Sequence, residues 1–170
     1  MSVGFENLIN IDFFIRIGAA MIFSFCIGLE RELTNKYAGL RTHILVALGA
    51  CIFTLVSIYG FPTFAAGDNV VVDQATGVRD TARVAAQVVT GIGFIGAGTV
   101  LRNGPIVLGL TTAATLWIAA SIGMACGAGM FDIAFAGSVL AILTLVIVRM
   151  FERKVLPRST KKVCSSDDVD

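Results

Sequence analysis

The sequence predicts an all-α integral membrane protein: a bundle of five transmembrane helices, N-terminus outside and C-terminus cytoplasmic. Three observations predict it. First, 56% of the 170 residues are hydrophobic and 15% are charged, with a mean hydropathy of +0.84. That is too apolar for a soluble domain of this length. Second, five stretches approach the ~20 apolar residues that cross the hydrocarbon core as a helix: 13–29, 42–59, 82–101, 108–127 and 133–151. Third, lysine and arginine collect in the connections on one side of that pattern.

The first stretch is short and carries Arg16. Asp12 lies four residues earlier, one helical turn away, and Arg16 is near enough to the helix start to snorkel to the surface. The N-terminus lacks the basic region and small-residue cleavage site of a removable signal peptide, so this stretch is expected to be kept. The connection that follows holds Arg31, Lys36 and Arg41, the third connection holds Arg102, and the tail holds Arg153, Lys154, Arg158, Lys161 and Lys162. Opposite them only Arg79 stands in a loop, beside Asp68, Asp73 and Asp80. The basic side is therefore read as cytoplasmic. Residues 60–79 contain Pro62, Gly67 and Gly77 without a period and read as an exposed outer loop. Residues 1–153 form the expected membrane domain. Residues 154–170, basic and then acidic, form a short tail expected to be disordered, with its basic part near anionic lipid.

The third stretch, DTARVAAQVVTGIGFIGAGTVL from Asp80, is unlike a simple lipid-facing span. Helical steps of 100° put Arg83, Gln87, Gly91, Gly93, Ala97 and Gly98 on one polar and small half, and Val88, Val89, Ile92 and Ile95 on the other. Gly91, Gly93, Gly96, Ala97 and Gly98 are thus expected to pack against other helices, with segment four as partner, which makes this a central, protein-buried helix. The literal match of Gly91-Ile-Gly93-Phe-Ile-Gly96 to a dinucleotide fingerprint is rejected. It has no preceding strand, and no acidic residue falls between Asp80 and Asp132.

Orientation assigns depth to the remaining polar residues. Asp12, Arg16, Asp80, Arg83 and Gln87 form an expected outer cluster. Glu30, Arg31 and Glu32 face Arg41, Thr42 and His43 across a short linker as an expected inner cluster, with Arg102, Thr111 and Thr112 at the same level. Intramembrane ionisable groups default to a functional reading, each costing ~3 kcal/mol or more if unpaired. The bland reading is a network that pins helices, or interfacial charge with snorkelling arginines. Cys26, Cys51 and Cys126 in apolar runs read as buried free thiols, and no Cys/His spacing suggests a metal site. With one histidine and no nucleophile–base arrangement, no enzyme activity, cofactor or nucleic-acid partner is expected.

These residues resemble the MgtC/SapB family. The resemblance is carried by Gly28-Leu-Glu-Arg-Glu32, Ala38-Gly-Leu-Arg-Thr-His43 with Leu48-Gly-Ala50, Asp80 with Arg83-Val-Ala-Ala-Gln-Val-Val89, Gly91-Ile-Gly-Phe-Ile-Gly-Ala-Gly98 and Gly109-Leu-Thr-Thr-Ala-Ala-Thr-Leu-Trp117. It implies a five-span inner-membrane protein linked to magnesium limitation, stress adaptation and, in some members, survival inside host phagocytes. It also implies action on membrane partners such as the F-type ATP synthase. The soluble C-terminal domain of the better-studied members is not expected here, and Thr111 stands where some members have asparagine. Two readings follow. One is a non-enzymatic regulator that works through helix contacts with a partner or with copies of itself as a homo-oligomer. The other is a small oligomeric transporter or channel for magnesium or protons, with Asp80, Gln87 and Glu30 near its mouths.

Overall fold

A computed structural model describes residues 11–60, 81–103 and 106–155. They form α1 (Ile11–Leu33), α2 (Leu40–Leu55) running into a π-helical turn (Val56–Gly60), α3 (Thr81–Gly98), β1 (Leu101–Asn103), β2 (Ile106–Leu108), α4 (Leu110–Gly127) and α5 (Phe131–Val155). Four helices are long and apolar enough to cross a membrane: α1, α2 with its π turn, α4 and α5. The 18 residues of α3 reach about 27 Å at 1.5 Å per residue, short of the ~30 Å core. Each helix falls within a few residues of an expected stretch. The small antiparallel hairpin, Leu101 opposite Leu108 and Asn103 opposite Ile106, does not correspond to any expected element. Much of the expected outer loop, with Asp80, and most of the tail lie outside the described residues.

The tight reversals have local causes. After α1, Asn35 takes a left-handed conformation (φ 53°). Its N–H donates to the Glu32 carbonyl at 3.0 Å, and the Lys36 N–H donates to the Arg31 carbonyl at 3.1 Å. This is the paired closure of a Schellman end. Gly129 (φ 80°) closes α4 in the same way, with N–H bonds from Gly129 to Cys126 and from Met130 to Ala125. Both turns satisfy helix-terminal carbonyls that a bilayer would leave bare.

The bundle is organised around α1, α2 and α4, which pack pairwise, with α2 against α4 the most extensive contact. Small residues allow it. A Cβ on Gly123 would run into the Ala47 carbonyl, and one on Gly127 would sit 2.7 Å from the Cys51 oxygen. Gly28 brings α1 as near to α2: its Cβ would lie 2.9 Å from Leu40 Cα. One apolar cluster joins Ala20, Ile27, Cys51, Leu55, Ile122, Cys126 and Ala134, and a second joins Ala38, Ala50, Ile92, Leu116 and Ala120. The hydroxyls of Ser24, Thr54, Ser138 and Thr144 bond to carbonyls of their own helices four residues back, so they need no partner from outside.

The structure places α3 at the periphery rather than at the centre. It leans on α4 and lightly on α2. Of its glycines only Gly96 meets another helix, at Ala113, while a Cβ on Gly91, Gly93 or Gly98 would find nothing within 4 Å. Ala97 is likewise exposed. The small-residue seam that closes the bundle is Gly123-xxx-Gly127 of α4 instead.

Gly123→Val is expected to destabilise the protein by about 2–3 kcal/mol through forced separation of α2 and α4. Gly93→Ala on the open face should stay within about 0.5 kcal/mol of the parent. Thermal unfolding of the purified chains in detergent compares them.

Candidate functional site

At the basic end of the bundle, four helices bring polar side chains together. The apolar stripe of α1 runs through Ala20, Ser24, Ile27 and Gly28, and its next member is Arg31, only 3% exposed. Arg31 Nη1 lies 3.6 Å from Glu30 Oε2, and the other Glu30 oxygen lies 3.5 Å from Arg149 Nη1 of α5. Nε and Nη2 of Arg31 and Oε2 of Glu30 are buried without a hydrogen-bond partner. One carboxylate thus faces two guanidiniums, and the group carries a net charge of +1 in a low-dielectric setting.

His43, in the first turn of α2, is fully buried. Its Nδ1 lies 2.7 Å from the Gly39 carbonyl, which can only accept, so the ring proton is on Nδ1. Nε2 then accepts from the Thr115 hydroxyl of α4 at 3.0 Å. The same hydroxyl lies 2.9 Å from the Thr112 carbonyl, so its one proton has two acceptors to serve. Glu32 folds back to cap α2, its Oε2 accepting from the Leu40 N–H at 3.0 Å. Gly39, which has no side chain to cap with, leaves room for that carboxylate.

At the other end of α1, Arg16 donates to Asp12 at 2.7 Å and to the Gly127 carbonyl at 2.9 Å, and it lies 5.7 Å from the Tyr59 ring centroid. A cation is thereby seated on the C-terminal carbonyls of α4, where the helix dipole favours it. Arg83 and Gln87 are exposed on α3, which does not pack closely on α1. The structure therefore does not gather them with Asp12 and Arg16, and Asp80 lies outside the described residues.

The expected inner residues separate as well. Glu30, Arg31, His43 and Thr112 are buried or nearly so, Thr111 is exposed, and Arg102 is placed only through its backbone, opposite Val107. Arg41 and Thr42 turn away from Glu30 and line an apolar groove of about 650 Å³ between α2 and α3, together with Gly49, Gln87 and Gly91. Sequence reasoning missed Arg149 and Thr115. The first was signalled as the one cation inside the last span, and the second lies one turn beyond the Thr111–Thr112 pair along α4. Among the described residues no group of three or more potential metal ligands occurs.

Removing Glu30 alone, as in Glu30→Ala, leaves the buried Arg31 guanidinium uncompensated and should cost about 3–5 kcal/mol, whereas Glu30→Met with Arg31→Met should regain most of that loss. Thr115→Val should cost about 1 kcal/mol. Unfolding midpoints of the three variants check both figures.

Residues 17–154 match the model of the MgtC family. The chain is similar to YhiD of Escherichia coli (strain K12), named there as a candidate magnesium transporter, with 41% identity over 87% of this chain and 66% of YhiD. It is 38% identical to protein SapB of Bacillus subtilis (strain 168), over 88% of this chain and 62% of SapB. It is 35% identical to protein MgtC of Salmonella typhimurium (strain LT2), over 96% of this chain and 68% of MgtC. It thus spans about two thirds of the length of these relatives. No solved structure matches it. With the family model matching most of its length and its apolar helices arranged as described, this chain is a membrane protein of the MgtC family.

Proposed function

We propose that this protein is a non-enzymatic regulator in the bacterial inner membrane that works through intramembrane contacts and serves adaptation to magnesium limitation. Its five helices cross the bilayer with the N-terminus outside. The observation that carries the reading is Gln87. Its amide is exposed on α3 beside the groove, and no hydrogen bond to it occurs among the described residues. A bare amide facing lipid is costly, and polar residues at membrane depth generally face protein or water. Gln87, Gly91, Phe94 and Gly98 recur at helical spacing on one side of α3. Phe94 is 84% exposed, and the two glycines have nothing near them. A face with two open glycines, a protruding aromatic ring and one hydrogen-bonding group suits a partner helix, whether of another membrane protein or of a second copy.

The transporter reading draws support from the name carried by the Escherichia coli relative. Against it, the polar group at the basic end holds two arginines for one glutamate, which repels a divalent cation. A photoreactive residue replacing Phe94 is expected to form protein adducts in native membranes, and Gly91→Leu should remove most of them with no change in folded yield. Liposomes holding only this protein should show background magnesium flux. Lipid-only adducts, or flux abolished by Glu30→Gln, would reverse the assignment.

A further inference from the structure

A cleft of about 400 Å³ opens between α1 and α5. Its walls are apolar, with Leu29, Ile142 and Val146 among them, and its polar lining is Glu30, Thr34 and Arg149. The volume is in the range of pockets that hold small ligands. Arg149 is the exposed member of the charged group, with a side chain 39% accessible and its Glu30 contact a long 3.5 Å. Its guanidinium has five N–H donors and spends one of them weakly. Arg31, 3.6 Å from the same carboxylate, keeps two nitrogens unpaired in the interior, so Glu30 is shared and the group retains a positive excess. Lys36 and Lys154 stand exposed at the same end of the bundle, as do Glu32, which caps α2, and Glu152, so the positive excess belongs to the cleft itself.

We infer that this cleft binds one anionic glycerophospholipid, its phosphodiester on Arg149 and the first methylenes of an acyl chain between Leu29, Ile142 and Val146. A guanidinium fork matches phosphate oxygens in geometry and charge. The apolar walls match an acyl chain and give free phosphate nothing to bury. A zwitterionic phosphatidylethanolamine would carry its ammonium group toward the two arginines, so the positive excess selects an anionic headgroup. The loop-charge bias places this end at the cytoplasmic leaflet, where anionic lipid and basic segments meet. The inference does not depend on what covers α3.

Native mass spectrometry of the full chain in detergent, titrated with phosphatidylglycerol, phosphatidylethanolamine or inorganic phosphate, tests it. One phosphatidylglycerol per chain is expected, retained roughly tenfold better than phosphatidylethanolamine and lost roughly tenfold in Arg149→Gln. Val146→Trp fills the cleft without altering charge and should lose the lipid to a similar degree. Val146 is already 38% exposed, so the indole does not load the core. Lys154→Gln should keep the lipid, and the melting temperature of each variant reports its folding. Equal retention of the two lipids would overturn the inference, as would unchanged binding by folded Val146→Trp or Arg149→Gln. Full displacement of phosphatidylglycerol by inorganic phosphate would overturn it in favour of a free-phosphate site.

Discussion

The approach of α4 to the backbone of α2 is the contact on which the rest of the molecule depends. Burying apolar side chains against one another gains little in hydrocarbon, because lipid tails are as apolar as leucine. What holds the helices is close van der Waals contact and the few hydrogen bonds that contact permits. Gly123 and Gly127 let α4 settle onto the carbonyls of Ala47 and Cys51. From that position α4 carries Thr115 to His43, offers the Gly127 carbonyl to Arg16, and presents Ala113 to Gly96 of α3.

The polar groups follow a consistent division. Those along the spans are closed on their own helices, as with Ser24 and Ser138, or aimed at a neighbour's backbone, as with Arg16. Among the described residues, only Glu30 and Arg31 place charge in the interior that local geometry leaves incompletely satisfied. A buried ion group of that kind adds little to stability compared with well-packed apolar side chains. Its presence sets the basic end apart from the rest of the described interior.

Much of this was legible from the residues alone, for identifiable reasons. Hydropathy located each helix because the bilayer demands length and apolarity from every span. The spacing of Asp12 and Arg16 announced their pairing, and the short linker after α1 announced that Glu30 and His43 share one end. Which helix lies at the centre was not legible. Glycine spacing says that a close approach is available, not which helix makes it, and both α3 and α4 carry the signal. The density of glycines in α3 pointed to the wrong helix for packing within the chain. The hairpin after α3 escaped notice because hydropathy assigned Leu101 and Leu108 to the flanking spans, although Asn103-Gly104 is a turn dipeptide. Thr115 rather than Thr111 meets His43 because the phase of α4 is set by Gly123, which no local pattern reveals.

The attachment of α3 has a mechanical consequence. The helix touches α4 at Gly96, close to the hairpin that ties it to α4, while its earlier turns border a groove instead of a packed interface. A rod clasped near one tip, bordered by a groove along one side and steadied at its far end by the π-helical turn of α2 is held less firmly than a strut packed on every side. Ile92 and Val88 in a small cluster, and the contact of α3 with the π-helical turn of α2, resist its movement. From Arg83 to Gly96 the shaft measures about 20 Å at 1.5 Å per residue. A tilt of a few degrees at the clasp therefore becomes an ångström or more at the far end, with the α1–α2–α4 triad left at rest.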